Sequence, residues 1–139
     1  MILVLGILIL SAICVERNRV WADDFSLWRD VVVKAPLMPR GHLYLGNAHK
    51  DAALQAVSEL TAKQHWGEAA SAYQRVIQLQ SDRTLSLRAL NNLGSALAMS
   101  GEVTEAIELF EQTLIRDPSH SQARENLELA RELEQDSSR

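Results

Sequence analysis

Four histidines, His42, His49, His65 and His120, are the side chains best suited to metal or proton chemistry in this chain. Two imidazoles share one ion readily when they stand on adjacent turns of a helix, as in the His-Glu-x-x-His pattern. His42 and His49 are seven residues apart and no such pattern occurs, so the histidines are expected in packing or surface roles. Asp23-Asp24 could form a paired-carboxylate site, but beside a helix start the pair more simply complements the helix dipole. No phosphate-binding loop, nucleotide-binding glycine motif or nucleophile elbow is present. Trp28, Trp66 and Tyr73 recur at helical spacing and are expected to pack in a core. These readings assign no catalytic, cofactor-binding or metal-binding residue and expect a chain that works by binding rather than by catalysis.

The elements that carry these residues follow from composition. The chain has 139 residues, 47% hydrophobic and only 5% aromatic, with few Gly and Pro, and this mix favours helix over strand. The net charge of −4 and the lack of a basic stripe speak against a nucleic-acid partner. Charge is uneven: residues 102–139 carry ten acidic and four basic groups, which predicts a solvated acidic end. The single cysteine, Cys14, has no intrachain disulfide partner.

Residues 1–15 form an uncharged apolar run, followed by Glu16, Arg17, Asn18 and Arg19 and then Trp21. At helical rise the run spans about 22 Å, short of the roughly 30 Å hydrocarbon core. A buried core helix would need protein on every side, and a cleaved signal lacks its basic n-region. The preferred expectation is a membrane helix truncated at its start, over residues 1–19, flanked by charges and Trp at the interface. Arg17 and Arg19 alone would place the following segment in the cytoplasm.

Three stretches downstream share one frame. Trp28, Tyr73 and Phe110 each stand eight residues before Pro36, Ser81 and Pro118, with Val32, Ile77 and Leu114 halfway between. This is one helix face with i, i+4 apolar contacts, stopped by a turn residue. Ala69 and Ala106 are small where a neighbouring helix must come close. Leu45-Gly46-Asn47-Ala48 and Leu93-Gly94-Ser95-Ala96 form a second motif, with a weaker copy at Asn126 to Ala130. Glycine inside a helix costs about 1 kcal/mol relative to Ala, so close contact between paired helices is expected there.

These features resemble the tetratricopeptide repeat, and Leu93, Gly94, Gly101, Ala106, Phe110 and Pro118 carry the resemblance in register. It implies a short right-handed solenoid of helical hairpins, and with the apolar run read as a membrane helix the expected fold class is all-α: an N-terminal membrane helix followed by that solenoid. Leu45 to Glu68 is eleven residues longer than Leu93 to Glu105. Eleven residues make three turns plus about 20°, so an apolar stripe through Leu45, Ala48, Ala52, Ala56, Val57 and Leu60 keeps its phase. The spacing therefore predicts a first helix lengthened by three turns, reaching Lys63, with its partner starting at Trp66. The divisions expected are a membrane or signal-anchor helix at 1–19, a half-repeat helix at 20–37, a hairpin with the lengthened helix at 38–81, a full repeat at 82–118, a capping helix at 119–135 and a polar tail at 136–139. Pro39 suits a first-turn position and Asp82 and Ser119 suit N-caps, Ser119 with Gln122 having the form of a capping box.

A narrower resemblance rests on Arg17-Asn18, Trp21, Leu27-Trp28, Asp30, Pro36, Arg40 and Leu45-Gly46 after an apolar run. It looks like the junction of the last membrane helix and the repeats in TMTC-like proteins, transmembrane relatives of the lipid-linked sugar glycosyltransferases. It implies repeats on the lumenal or periplasmic side, with the cytoplasmic side left open. It also implies, as the alternative function, that the chain is the acceptor-binding or regulatory tail of a longer O-glycosyltransferase, whose catalytic region is absent here.

The tetratricopeptide resemblance implies a protein or peptide partner held in a groove lined by the first helix of each pair. Carried over by offset from Leu-Gly, the groove positions are Arg40, Tyr44, Asn47, Arg88, Asn91, Asn92, Ser95, Gln122, Glu125 and Asn126. Their amides and guanidinium groups suit an extended peptide backbone. The partners expected are thus a protein or peptide ligand, the membrane through residues 1–19, and self-association through the flank of the Trp28 helix.

Overall fold

The computed structural model describes residues 6–7, 9–11, 13–15, 23–80 and 82–137, and among these it is helical with no strand. From Asp23 onward the helices are α1 (Asp24–Lys34), α2 (Pro39–Gln55), α3 (Glu59–Gln78), α4 (Arg83–Ser100), α5 (Val103–Arg116) and α6 (Ser121–Ser137).

Local chemistry sets most of the boundaries. Asp23 caps α1, its carboxylate accepting from the Ser26 N–H at 2.7 Å, and Asp24 adds charge to the first turn. Pro39 opens α2, where its missing N–H is harmless. Asp82 caps α4 by accepting from the Leu85 N–H at 3.0 Å. Gly101 ends α4 at a φ of 97°, and the Gly101 and Glu102 N–H groups return to Ala98 and Leu97 carbonyls.

The long hairpin differs from its expectation. No single helix runs from Pro39 to Lys63: α2 stops at Gln55, residues 56–58 turn, and α3 starts at Glu59 rather than Trp66. Compared with α4 and α5, three of the eleven extra residues lengthen α2, one lengthens the turn, and seven lengthen the start of α3. The physical reason lies at Ser58, whose side chain accepts from the Thr61 N–H at 3.1 Å and caps α3, while Glu59 supplies first-turn charge. An overhanging helix would have left its last turns unpartnered; the moved turn pairs most of the extension along its length. Val57 and Leu60, expected on the apolar stripe, are exposed at the turn.

α6 also starts later than expected. Ser119 does not cap it, because both its N–H and its hydroxyl donate to Asp117, at 3.1 and 2.6 Å. These bonds hold the Asp117 carboxyl below the usual carboxylate range. The cap is His120, whose Nδ1 accepts from the Ala123 N–H at 3.2 Å.

Each helix packs on the next, and in addition α2 touches α4 and α4 touches α6. No contact joins α3 to α5. Three helices that touch on one side, with their partners held apart on the other, make a curved stack whose inner face is α2, α4 and α6. One core cluster lies between α2, α3 and α4, with Leu43, Trp66, Ala69, Tyr73, Val76, Ala89, Leu93 and Ala96 buried. A second joins α5 to α6 through Ala106, Phe110, Leu127 and Ala130. Leu133 of α6 is exposed. The α1 helix buries no residue and, among the described helices, packs on α2 alone, through contacts that include a Trp28–Tyr44 ring stack at 4.5 Å.

The repeat frame explains both motif glycines. A Cβ on Gly46 would stand 2.5 Å from Cε1 of Tyr73, and one on Gly94 2.7 Å from Cε1 of Phe110. Each glycine admits the aromatic ring of the following helix. Ala69 and Ala106 have no exposed surface, as close helix approach requires.

The single-pass membrane expectation over residues 1–19, and the lumenal or periplasmic placement built on it, are corrected. Among the described residues no helix is long and apolar enough to cross a membrane. The physical limit is length, since the uncharged run reaches only about 22 Å. Arg17, Arg19 and Trp21, on which the interfacial reading rested, lie outside the described residues, as does Ser81 in the closing-Pro position.

Candidate functional site

Five of the ten predicted groove residues join across the inner face. Asn47 on α2 accepts through Oδ1 from the Tyr73 hydroxyl at 2.9 Å and from the Asn92 Nδ2 of α4 at 3.3 Å. Asn126 on α6 donates through Nδ2 to Asn91 Oδ1 at 3.1 Å and to Ser95 Oγ at 3.2 Å. Ser95 in turn donates to the Asn91 carbonyl at 3.1 Å. Asn91 and Asn92 are sequence neighbours on α4, so this helix carries both halves of the ladder.

The ladder satisfies groups that burial would otherwise penalise. Asn91 is only 3% exposed, and no buried side-chain nitrogen or oxygen among the described residues lacks a partner. Burial raises the Tyr73 hydroxyl well above its ordinary value, so the phenol remains a donor to Asn47. The amides therefore form the floor of the inner face and fix the spacing of its three helices.

The other predicted positions sit differently. Arg40, Arg88, Gln122 and Glu125 are exposed, and Tyr44 is half-buried under Trp28. Beyond the ladder, between α4 and α6, lies a recess of about 150 Å³ lined by Ser95, Met99, Phe110, Asn126, Leu129 and Leu133 among others. Met99, Leu129 and Leu133 are each more than half exposed. The face thus has a polar floor, charged flanks and an apolar end. The floor and flanks stand at positions carried over by offset from Leu-Gly, while the recess depends on how α4 and α6 meet and has no linear signature.

The histidines divide into two roles. The His42 Nε2 bonds the Pro36 carbonyl at 2.8 Å and ties the α1–α2 connection, and His120 caps α6. His49 and His65, sixteen residues apart on α2 and α3, bring their Nδ1 atoms to 3.2 Å. The Phe25 and His49 rings meet in a T-shaped arrangement, with their centroids 4.8 Å apart. Burial holds the His49 imidazole below its ordinary value, helped by His65 and Arg29 and opposed by Glu68. This pair was missed because it exists only when the chain turns at 56–58. The signal available was the Ser58 to Thr61 cap.

No curated protein matches the chain, so the narrower TMTC-like resemblance stands without a matching relative. The tetratricopeptide repeat family model matches residues 54–121, from the end of α2 through the whole of α3, α4 and α5, which are the helices that supply the glycine–aromatic contact at Gly94, and this match supports reading the chain as a tetratricopeptide-repeat protein.

Proposed function

We propose that this chain is an interaction scaffold whose inner face, formed by α2, α4 and α6, holds an extended segment of a protein partner. The observation that carries this reading is the amide ladder, which locks three successive first helices into one continuous surface ending in an apolar recess. Arg40, Arg88, Gln122 and Glu125 flank that floor and are free to meet peptide amides and carboxylates. The recess takes one apolar anchor side chain; an apolar cavity of about 150 Å³ is large enough to admit benzene. An anchor in a pocket with polar contacts around it is a recurrent way to combine affinity with register. No catalytic step is proposed for this chain.

Because Asn91 is buried in the ladder, variants there alter the fold as well as the surface. The reading is tested at exposed positions. Peptides selected from a display library on the wild-type chain are expected to carry an apolar anchor. They are expected to lose tenfold or more in affinity to Leu129→Asp and several-fold to Arg88→Ala. Equal binding of the selected peptides to wild type and Leu129→Asp would remove the inner-face assignment.

A further inference from the structure

We infer that His49 and His65 form a two-imidazole site for a late first-row divalent metal ion, zinc or copper, clamping α2 to α3. Imidazole nitrogens lie about 2.0–2.1 Å from zinc, and two of them at the tetrahedral angle stand roughly 3.3–3.4 Å apart. The two Nδ1 atoms are already 3.2 Å apart, so they offer that bite with little movement of either helix. The Phe25 ring against His49 restricts its orientation, which reduces the entropy lost on binding. Both rings are only part-buried, so solvent and ions reach them.

Without metal, an Nδ1-to-Nδ1 hydrogen bond requires one ring to carry its proton on Nδ1 and the other to accept. Binding changes the donor ring's tautomer: its Nδ1 proton leaves to solvent and Nε2 takes one up. The net charge of the pair is unchanged and both Nδ1 lone pairs face the ion. Glu68, one turn beyond His65, adds favourable negative potential, and Arg29 on α1 opposes it. Among the described residues no set of three His, Cys, Asp or Glu converges on one point, so water fills the remaining positions. Imidazole ligation suits zinc and copper, and copper(II) leads the affinity order of the divalent series.

The test uses the untagged full chain, stripped with chelator and titrated with zinc chloride by calorimetry. One binding site is expected in the wild type. His49→Gln and His65→Gln are each expected to weaken it tenfold or more, while His42→Gln, His120→Gln and Cys14→Ser retain it. No binding by the wild type at millimolar zinc, or equal binding by the His49 and His65 variants, would overturn the site. Should either variant lose its helical circular dichroism, copper(II) paramagnetic resonance on the unaltered chain decides. Nitrogen splitting from two imidazoles supports the site, and splitting from one or none overturns it.

Discussion

Gly46 and Gly94 lack a side chain because an aromatic ring occupies the space one would fill. Both lie inside helices, and what a methyl would meet is Tyr73 or Phe110, each essentially without exposed surface. Gly46→Ala and Gly94→Ala are each expected to destabilise the fold by about 1–3 kcal/mol, the usual cost of overpacking a tight core. Gly67, inside α3, has open space around its Cα, so Gly67→Ala is expected to stabilise by up to about 1 kcal/mol through helix propensity alone. Urea denaturation of the three variants checks the contrast, because one substitution type then gives opposite signs. The ladder is testable in the same way. Asn126→Ala leaves the buried Asn91 amide oxygen without its donor and is expected to cost about 1–3 kcal/mol. A cycle with Asn91→Ala is expected to show a coupling of about 0.5–3 kcal/mol between the two. At this scale the motif glycines and the small Ala69 and Ala106 were legible in the chain, since each breaks a local preference for a packing reason. The His120 cap was not. Ser119 is the better cap by residue type, and only its capture by Asp117 leaves the position to a histidine.

Among the elements, the α2–α3 hairpin shows how a periodic argument can hold while its conclusion fails. Eleven residues preserve helical phase whether they extend one helix or are divided between two, so periodicity could not distinguish an overhang from a longer hairpin. The deciding features were local: Ser58 capping Thr61, Glu59 in the first turn, and Ser58 in an extended conformation at φ −114° and ψ 143°. That backbone is also what a residue preceding proline adopts. Glu59 is therefore at the first helical position, where proline is tolerated. Glu59→Pro is expected to stay within about 1 kcal/mol of the wild type, whereas a helix running through this point would lose about 3 kcal/mol or more. Thermal unfolding of this variant beside Ala62→Pro, deeper in α3, separates the two arrangements. A large loss is expected only for the second. The α4–α5 pair was readable throughout because Gly101, Phe110 and Pro118 leave one arrangement open to it.

For the whole molecule, stability follows from neighbours rather than from one shared core. The α2–α3–α4 cluster and the α5–α6 cluster are distinct, linked mainly where α5 meets α4. A stack of this kind behaves as a sum of local units and the interfaces between them. The acidic, outward face of α6 was legible in the chain, but its Leu129 and Leu133 point to the inner recess rather than into the core. This helix therefore closes the stack and builds the proposed anchor site at once. Removing residues 118–139 takes away Leu127 and Ala130 and leaves Phe110 without its outer cover. Hydrogen exchange on the truncated chain is expected to show α5 losing most of its protection, and α4 losing some at its C-terminal turns. Amides in α2 and α3 around Leu43, Tyr73 and Val76 are expected to exchange as in the full chain, because no contact joins them to α6. Uniform loss of protection across all helices would instead make the chain one cooperative unit, and the inner face could then not bind at one end without stiffening the other.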